Sequence, residues 1–211
     1  MPVLSKKFLP HFIIVILHVV GVVGTLSPLT RELVIALTPL NLILSAGILL
    51  ACHQGTFRSV MPPLLFCVLV GFGVEVIGIH TGFPFGQYTY GEVLGWKLLD
   101  VPLVIGVNWF LLIYAFFSAS NFLKKPAFRV LFTALAMLLI DLLIEPVAIQ
   151  LGYWSWAGGD IPLQNYGAWF VIALVMALVM HRYQPKLYNP VSVTLILSQI
   201  LYFSAIFFIK I

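Results

Sequence analysis

Charge is what this chain lacks most. Only 9% of its 211 residues are Asp, Glu, Lys or Arg, against roughly 25% in an average soluble domain. With 62% hydrophobic residues and a mean hydropathy of +1.09, an ordinary globular protein is excluded. Polar stretches long enough to fold separately in water are missing too, so residues 1–211 read as a single polytopic membrane domain. Cysteine is scarce. Cys52 and Cys67 lie in or beside apolar segments with no disulfide or metal-ligand spacing, which leaves them as small buried hydrophobes. His80 has no second histidine nearby, and His11, His18, His53 and His181 fall in separate segments, so no metal site is expected. The net charge of +4 comes from basic residues in short loops between apolar runs. That distribution does not suit a nucleic-acid partner.

What the chain has instead is apolar segments, at about 8–26, 33–52, 60–79, 98–119, 127–151, 166–181 and 190–209. A helix needs about 20 mostly apolar residues to span a bilayer, so the fold class is all-α integral membrane with about seven transmembrane helices. The first segment has a Lys6-Lys7 front like a signal peptide. Its apolar core is longer than the usual stretch of about 7–15 residues and no small-residue cleavage site follows, which predicts a retained helix. Pro28, Pro39, Pro62, Pro63, Pro102, Pro126 and Pro190 mostly fall near predicted helix starts, where a missing N–H does little harm. Pro146 lies inside the fifth segment, where it is expected to break or kink the helix.

Basic residues are biased to one side of this layout. The N-terminus and the loops after the second, fourth and sixth segments hold Lys6, Lys7, Arg58, Lys124, Lys125, Arg129, Arg182 and Lys186; the other side holds Arg31, Lys97 and Lys210. The positive-inside rule then puts the N-terminus in the cytoplasm and the C-terminus outside, in what is expected to be a bacterial cytoplasmic membrane. All seven acids fall in the outer half. Glu32, Glu92 and Asp160 lie in outer loops, and Asp100 is expected to open the fourth helix from that side. Glu75 comes about one turn before the outer end of the third segment, while Asp141-Leu-Leu-Ile-Glu145 puts two acids on one helix face. An acid at bilayer depth costs about 3 kcal/mol even on the mildest scales, so these three are functional candidates. Structural alternatives stand beside that reading: Glu145 against a neighbouring helix, and Asp141 bonded to a buried Asn108 or tyrosine.

Glu75-Val-Ile-Gly-Ile-His-Thr-Gly82 aligns without gaps with Glu145-Pro-Val-Ala-Ile-Gln-Leu-Gly152, and each is followed by an aromatic loop containing Pro-x-x-x-Tyr, Pro84 to Tyr88 and Pro162 to Tyr166. Both copies run in the same direction, which suggests a parallel internal repeat of helices 3–4 and 5–6 about an axis along the membrane normal. The two loops, 81–96 and 152–169, hold four of the five tryptophans. An interfacial aromatic belt is the simple explanation. The opposite side has no matching girdle, and the glycines and prolines give defined turns, so the loops read as the lid and walls of a pocket.

The run Thr-Gly-x-Pro-Phe-Gly-x-Tyr-x-Tyr at 81–90 resembles the membrane carotenoid hydratase family of the bacterioruberin and gamma-carotene pathways. So do Val101-Pro102 with Trp109, Asp141 with Glu145-Pro146, Trp154-x-Trp156, and Ile161-Pro162 with Asn165. The similarity runs in order from about 75 to 169. It implies addition of water to the terminal double bond of an acyclic carotenoid end group, giving a tertiary alcohol. The substrate would lie in the bilayer, and other membrane enzymes of carotenoid synthesis would be the partners.

Hydrating such an alkene requires a strong proton donor and then water on a tertiary cation. A desolvated carboxylic acid suits the first step, and two close carboxyls share a proton. Asp141 and Glu145 are the candidate dyad, with Glu75 opposite to orient or deprotonate water. Aromatic faces stabilise the cation; Tyr88, Tyr90, Trp96, Tyr153, Trp154 and Trp156 are the candidates, with Trp169 a further substrate-binding residue. Asn165, Gln87 and His80 are polar neighbours able to place water, with Asp100, Asn108 and Asp160 in support. This chemistry needs neither cofactor nor metal. A carotenoid end-group cyclase starts with the same protonation and stays open as an alternative. A proton-coupled transporter would need polar groups continuing toward the cytoplasm, where both helices are apolar. A membrane prenyltransferase would need more acids and cations for diphosphate than the outer half offers.

Overall fold

A computed structural model of the chain describes residues 4–209, with side chains from residue 7 onward. Lys210 and the Lys6 side chain, both part of the basic bias, lie outside the described residues. The described residues form eight α-helices in turn: α1 (Leu4–Leu26), α2 (Arg31–Ala36), α3 (Thr38–Ala51), α4 (Phe57–Thr81), α5 (Val104–Ala119), α6 (Pro126–Gln150), α7 (Leu163–Tyr183) and α8 (Val191–Ile209). Six of them are long and apolar enough to cross a membrane. The second predicted segment is divided instead, because Pro39 stands in the first turn of α3. A proline there has no N–H to give and its ring clashes with the carbonyl four residues back, so α2 cannot run on into α3. Pro146 does not do the same. Helix α6 continues through it to Gln150, contrary to the expected break.

The most buried helix, α5, packs against α3, α4, α6, α7 and α8. Its start differs from expectation. Residues 97–102 form a tight hairpin, β2 (Lys97–Leu98) with β3 (Val101–Pro102), turning at Leu99 (φ 51°) and Asp100 (φ 63°). Asp100 is thus a turn residue with positive φ, a position Asp tolerates better than most, and not the first residue of a helix. Arg129, expected in a loop, is buried in the first turns of α6.

The helix packing has the arrangement that the suggested internal repeat would give. Helix α4 pairs with α5 and α6 with α7, while α4 also packs on α7 and α5 on α6, as a two-fold relation between the halves requires. Gly82 (φ 72°) caps α4, and Gly152 (φ 71°) lies just past α6, both left-handed. Each half then contributes one short strand, β1 (Tyr88–Tyr90) and β4 (Trp154–Trp156), which pair antiparallel with Thr89 opposite Ser155 at the centre. Pro84 precedes its strand and Pro162 follows its own, so those two prolines are not equivalent. The matching pair is Pro102 and Pro162, each seven residues before a tryptophan, Trp109 and Trp169. Those two indoles stack with centroids 4.2 Å apart.

Candidate active site

Strand side chains alternate between faces. Tyr88 and Tyr90 therefore point the same way from β1, Trp154 and Trp156 from β4, and the register puts Tyr88 against Trp156 and Tyr90 against Trp154. This four-ring face closes over the ends of α4 and α6, where Glu75 (4% exposed) and Glu145 (2% exposed) are buried.

Each glutamate accepts hydrogen bonds from the strand of its own half. Tyr88 donates to Glu75 Oε2 in a short bond, Tyr90 donates to the same oxygen at 2.8 Å, and Trp109 Nε1 donates to Oε1 at 3.1 Å. Trp154 and Trp156 each donate Nε1–H to Glu145 Oε2 at 2.9 Å. Asn165 Nδ2 then bridges two acids, donating to Glu145 Oε1 at 3.2 Å and to Asp141 Oδ2 at 3.0 Å. Burial, followed by the charge of Glu75, holds the Tyr88 and Tyr90 phenols well above their usual range, so both remain donors.

Glu75 and Glu145 line one cavity with Phe85, Tyr88, Tyr90, Ile105, Asn108, Trp109, Ile144, Trp154, Trp156, Asn165 and Trp169. It is a small cavity of about 40 Å³, large enough to admit water. Asp141 is fully buried but does not line this cavity. It lies one turn deeper on α6 and reaches Glu145 through Asn165, not through Asn108 or a tyrosine. Its Oδ1 has no hydrogen-bond partner. In the other half, the position four residues before the glutamate is Gly71, where Trp109 packs. The third acid is the main chemical difference between the halves.

Several expected site residues lie elsewhere. Trp96 is 88% exposed and outside the cavity; its place at the end of the loop before β2 turns it outward. Tyr153 is buried on the opposite side of β4 from its neighbours, bonds Thr38 Oγ1 at 2.8 Å, and lines a separate apolar cavity with His18, Gln199 and Tyr202. Gln87 and His80 are on the solvent side of the ladder. Asp100 is exposed with His80 Nε2 4.0 Å away, and Asp160 is exposed on the second loop. Among the described residues no group of His, Cys, Asp and Glu is arranged to hold a metal. The role of Trp109 as a donor to Glu75 was not expected; its common offset with Trp169 from a proline is the sequence signal that points to it.

Comparison with known proteins covers most of this architecture. A family model described as carotenoid biosynthesis protein matches residues 34–211. A bisanhydrobacterioruberin hydratase from Haloarcula japonica is 32% identical over 125 residues, covering 55% of this chain and 43% of the relative, so the chain matches under half the relative's length. No solved structure matches. With the family model spanning α3 to α8 and the whole acid-lined cavity, the chain belongs to the carotenoid biosynthesis protein family.

Proposed function

We propose that the chain adds water to the terminal double bond of an acyclic carotenoid end group, producing a tertiary alcohol. The observation that carries this reading is the pair Glu75 and Glu145, facing one small cavity with aromatic walls. The hydratase relative agrees with it. Below the acids the helices turn apolar: Leu111, Leu112 and Ile113 of α5, Met137 of α6 and Met176 of α7 are fully buried. That layer favours a site open to one end of the bundle over a proton path across the membrane. The basic bias of the loops supports an outer position for that end.

In the proposed reaction Glu145 gives its proton to the CH carbon of the alkene, and the π pair forms the new C–H bond. The dimethyl carbon becomes a tertiary cation. Tyr88, Tyr90, Trp154, Trp156 and the Trp109–Trp169 stack line the cavity around it, and a ring face turned to the cation is worth up to about 2 kcal/mol when desolvated. A water held by Asn108 and Glu75 attacks the cation, and Glu75 takes the released proton. A water relay returns that proton from Glu75 to Glu145, leaving net addition of one water. Asp141, joined to Glu145 by Asn165 and backed by no donor on Oδ1, keeps one proton between the two carboxyls. The carotenoid arrives from the bilayer, where other membrane enzymes of the same synthesis supply it.

The test is to supply an acyclic carotenoid to membranes containing the chain, in heavy-oxygen water, and to weigh the pigments. A mass gain of one heavy water per modified end is the expected result. An isomer of unchanged mass would replace the reading with cyclisation, and unchanged pigment would refute it.

A further inference from the structure

Water, the second reactant, has to reach a cavity sealed from the opposite end of the bundle by apolar side chains. A second, more polar recess lies on the far side of the β1–β4 ladder. It has a volume of about 380 Å³ and is lined by Ile79, His80, Thr81, Gly82, Gln87, Thr89, Ser155 and Ala157, together with Tyr88 and Trp156. Among the described residues, Tyr88 and Trp156 alone line both this recess and the acid cavity. Their rings are 5.0 Å apart between centroids and tilted by 41°, and each bonds a different glutamate. That cross-strand aromatic pair thus lies between the recess and the acid cavity.

The recess is suited to water. Thr89 and Ser155 hydroxyls meet at 3.2 Å across the ladder and remain exposed. Gly82, with φ 72°, keeps its surface low beside Gln87, whose Cγ would lie 3.1 Å from an added Cβ. Gly86, at φ 119°, leaves room that Trp156 and Pro162 fill; an added Cβ there would come within 2.6 Å of Pro162. Nothing apolar and chain-like is matched by this recess, in contrast to the bilayer-facing helices.

We infer that the polar recess over Thr89 and Ser155 binds the reactant water and passes it to the acid cavity between Tyr88 and Trp156. This rests on the hydration reading above. Carotenoid and water then enter by different routes, the first from the bilayer and the second through the ladder. Filling the recess should starve the reaction of water without hindering carotenoid binding.

Ser155→Cys and Thr89→Cys, each in the full chain in open membrane fragments, provide the test. Each is assayed before and after a bulky charged methanethiosulfonate, then after reductant. The unsubstituted chain with its Cys52 and Cys67, and Gln54→Cys at the opposite end, are treated in parallel as controls. The expected result is a fall in kcat of about tenfold or more on modification, an unchanged KM for carotenoid, and recovery with reductant. A small methylating analogue of the reagent should cost less than the bulky one. Full modification of both variants with kcat retained would overturn the inference, and so would a rise in KM alone. Absence of any hydrated product from the unsubstituted chain would instead bring down the hydration reading itself, and this inference with it.

Discussion

Gly71 and Trp109 touch so closely that a Cβ on the glycine would lie 2.6 Å from both Cβ and Cγ of the tryptophan. The contact seats the indole where Nε1 reaches Glu75 Oε1 and where its face meets Trp169. Gly71→Ala should displace Trp109 from both partners. Overpacking of this kind costs about 1–3 kcal/mol, so a drop in thermal midpoint is expected. Hydration per folded molecule should fall as well, by about tenfold if one donor to Glu75 is lost. Product formation and thermal unfolding in the same membranes check both.

Asn165 joins the two acids of α6, although it is 24 residues from Asp141 in sequence. Asn165→Leu keeps the volume and removes both donors. Hydrogen bonds to charged groups are worth about 1.5–3 kcal/mol, which predicts a loss of roughly 10- to 100-fold in hydration rate. Asn165→Asp should be worse, since a third carboxyl would enter the bridge. Comparing the two rates at matched protein levels decides this.

That bridge also shows how far the sequence is legible. Glu75, Asp141 and Glu145 stand out because acids are rare in apolar runs, and Glu75 and Glu145 do share a cavity. The pairing of Tyr88 and Tyr90 with Trp156 and Trp154 does not stand out, because three-residue strands are too short to display alternation. Nor does composition separate Trp96, which is exposed, from Trp156, which is buried: a lid and an interfacial belt use the same residue types. Pro39, grouped with prolines near helix starts, does stand in the first turn of α3, whereas Pro146, expected to break or kink its helix, lies inside a continuous α6.

Tyr88→Phe and Trp156→Phe separate ring from donor. Each keeps an aromatic face for the cation and removes one hydrogen bond to a glutamate. If Glu75 receives the proton of water, Tyr88→Phe should lower kcat by about tenfold while leaving KM for carotenoid near its original value. Tyr88→Leu removes the face too and should cost more than Tyr88→Phe. Equal effects of Phe and Leu would show that the ring contributes nothing to the cation.

Arg129 organises the end of the bundle opposite the ladder. Its guanidinium donates to the carbonyls of Phe117 (2.8 and 3.1 Å), Pro185 (2.6 Å) and Leu187 (2.6 Å) and lies 3.9 Å above the Phe117 ring. These bonds tie the end of α5 and the α7–α8 loop to α6. Arg129→Met leaves buried carbonyls without donors, each at a cost of about 1–3 kcal/mol. A clear fall in thermal midpoint is expected, with hydration per folded molecule unchanged because the site is at the other end. Arg129→Lys should recover only part of the stability, since one ammonium cannot reproduce the planar fork.

Glu145→Gln and Asp141→Asn test where the proton leaves from. Glu145 lines the cavity and Asp141 does not, so only the first can reach an alkene. Glu145→Gln removes the acid while keeping an oxygen for Trp154 and Trp156, and should reduce hydration by about 100- to 10,000-fold, the usual contribution of a general acid. Asp141→Asn keeps the shape and loses only the neighbour that shares the proton, so a smaller loss, near tenfold, is expected. Glu75→Gln should fall between them or match Glu145→Gln, depending on whether water attack or protonation limits the rate. Trapping distinguishes these cases: with Glu75→Gln, a cation formed but not captured by water returns a proton from a neighbouring carbon to the Glu145 carboxylate, and the pigments should contain double-bond isomers of unchanged mass. Glu145→Gln should give neither isomer nor alcohol. Isomers from Glu145→Gln and none from Glu75→Gln would exchange the two roles.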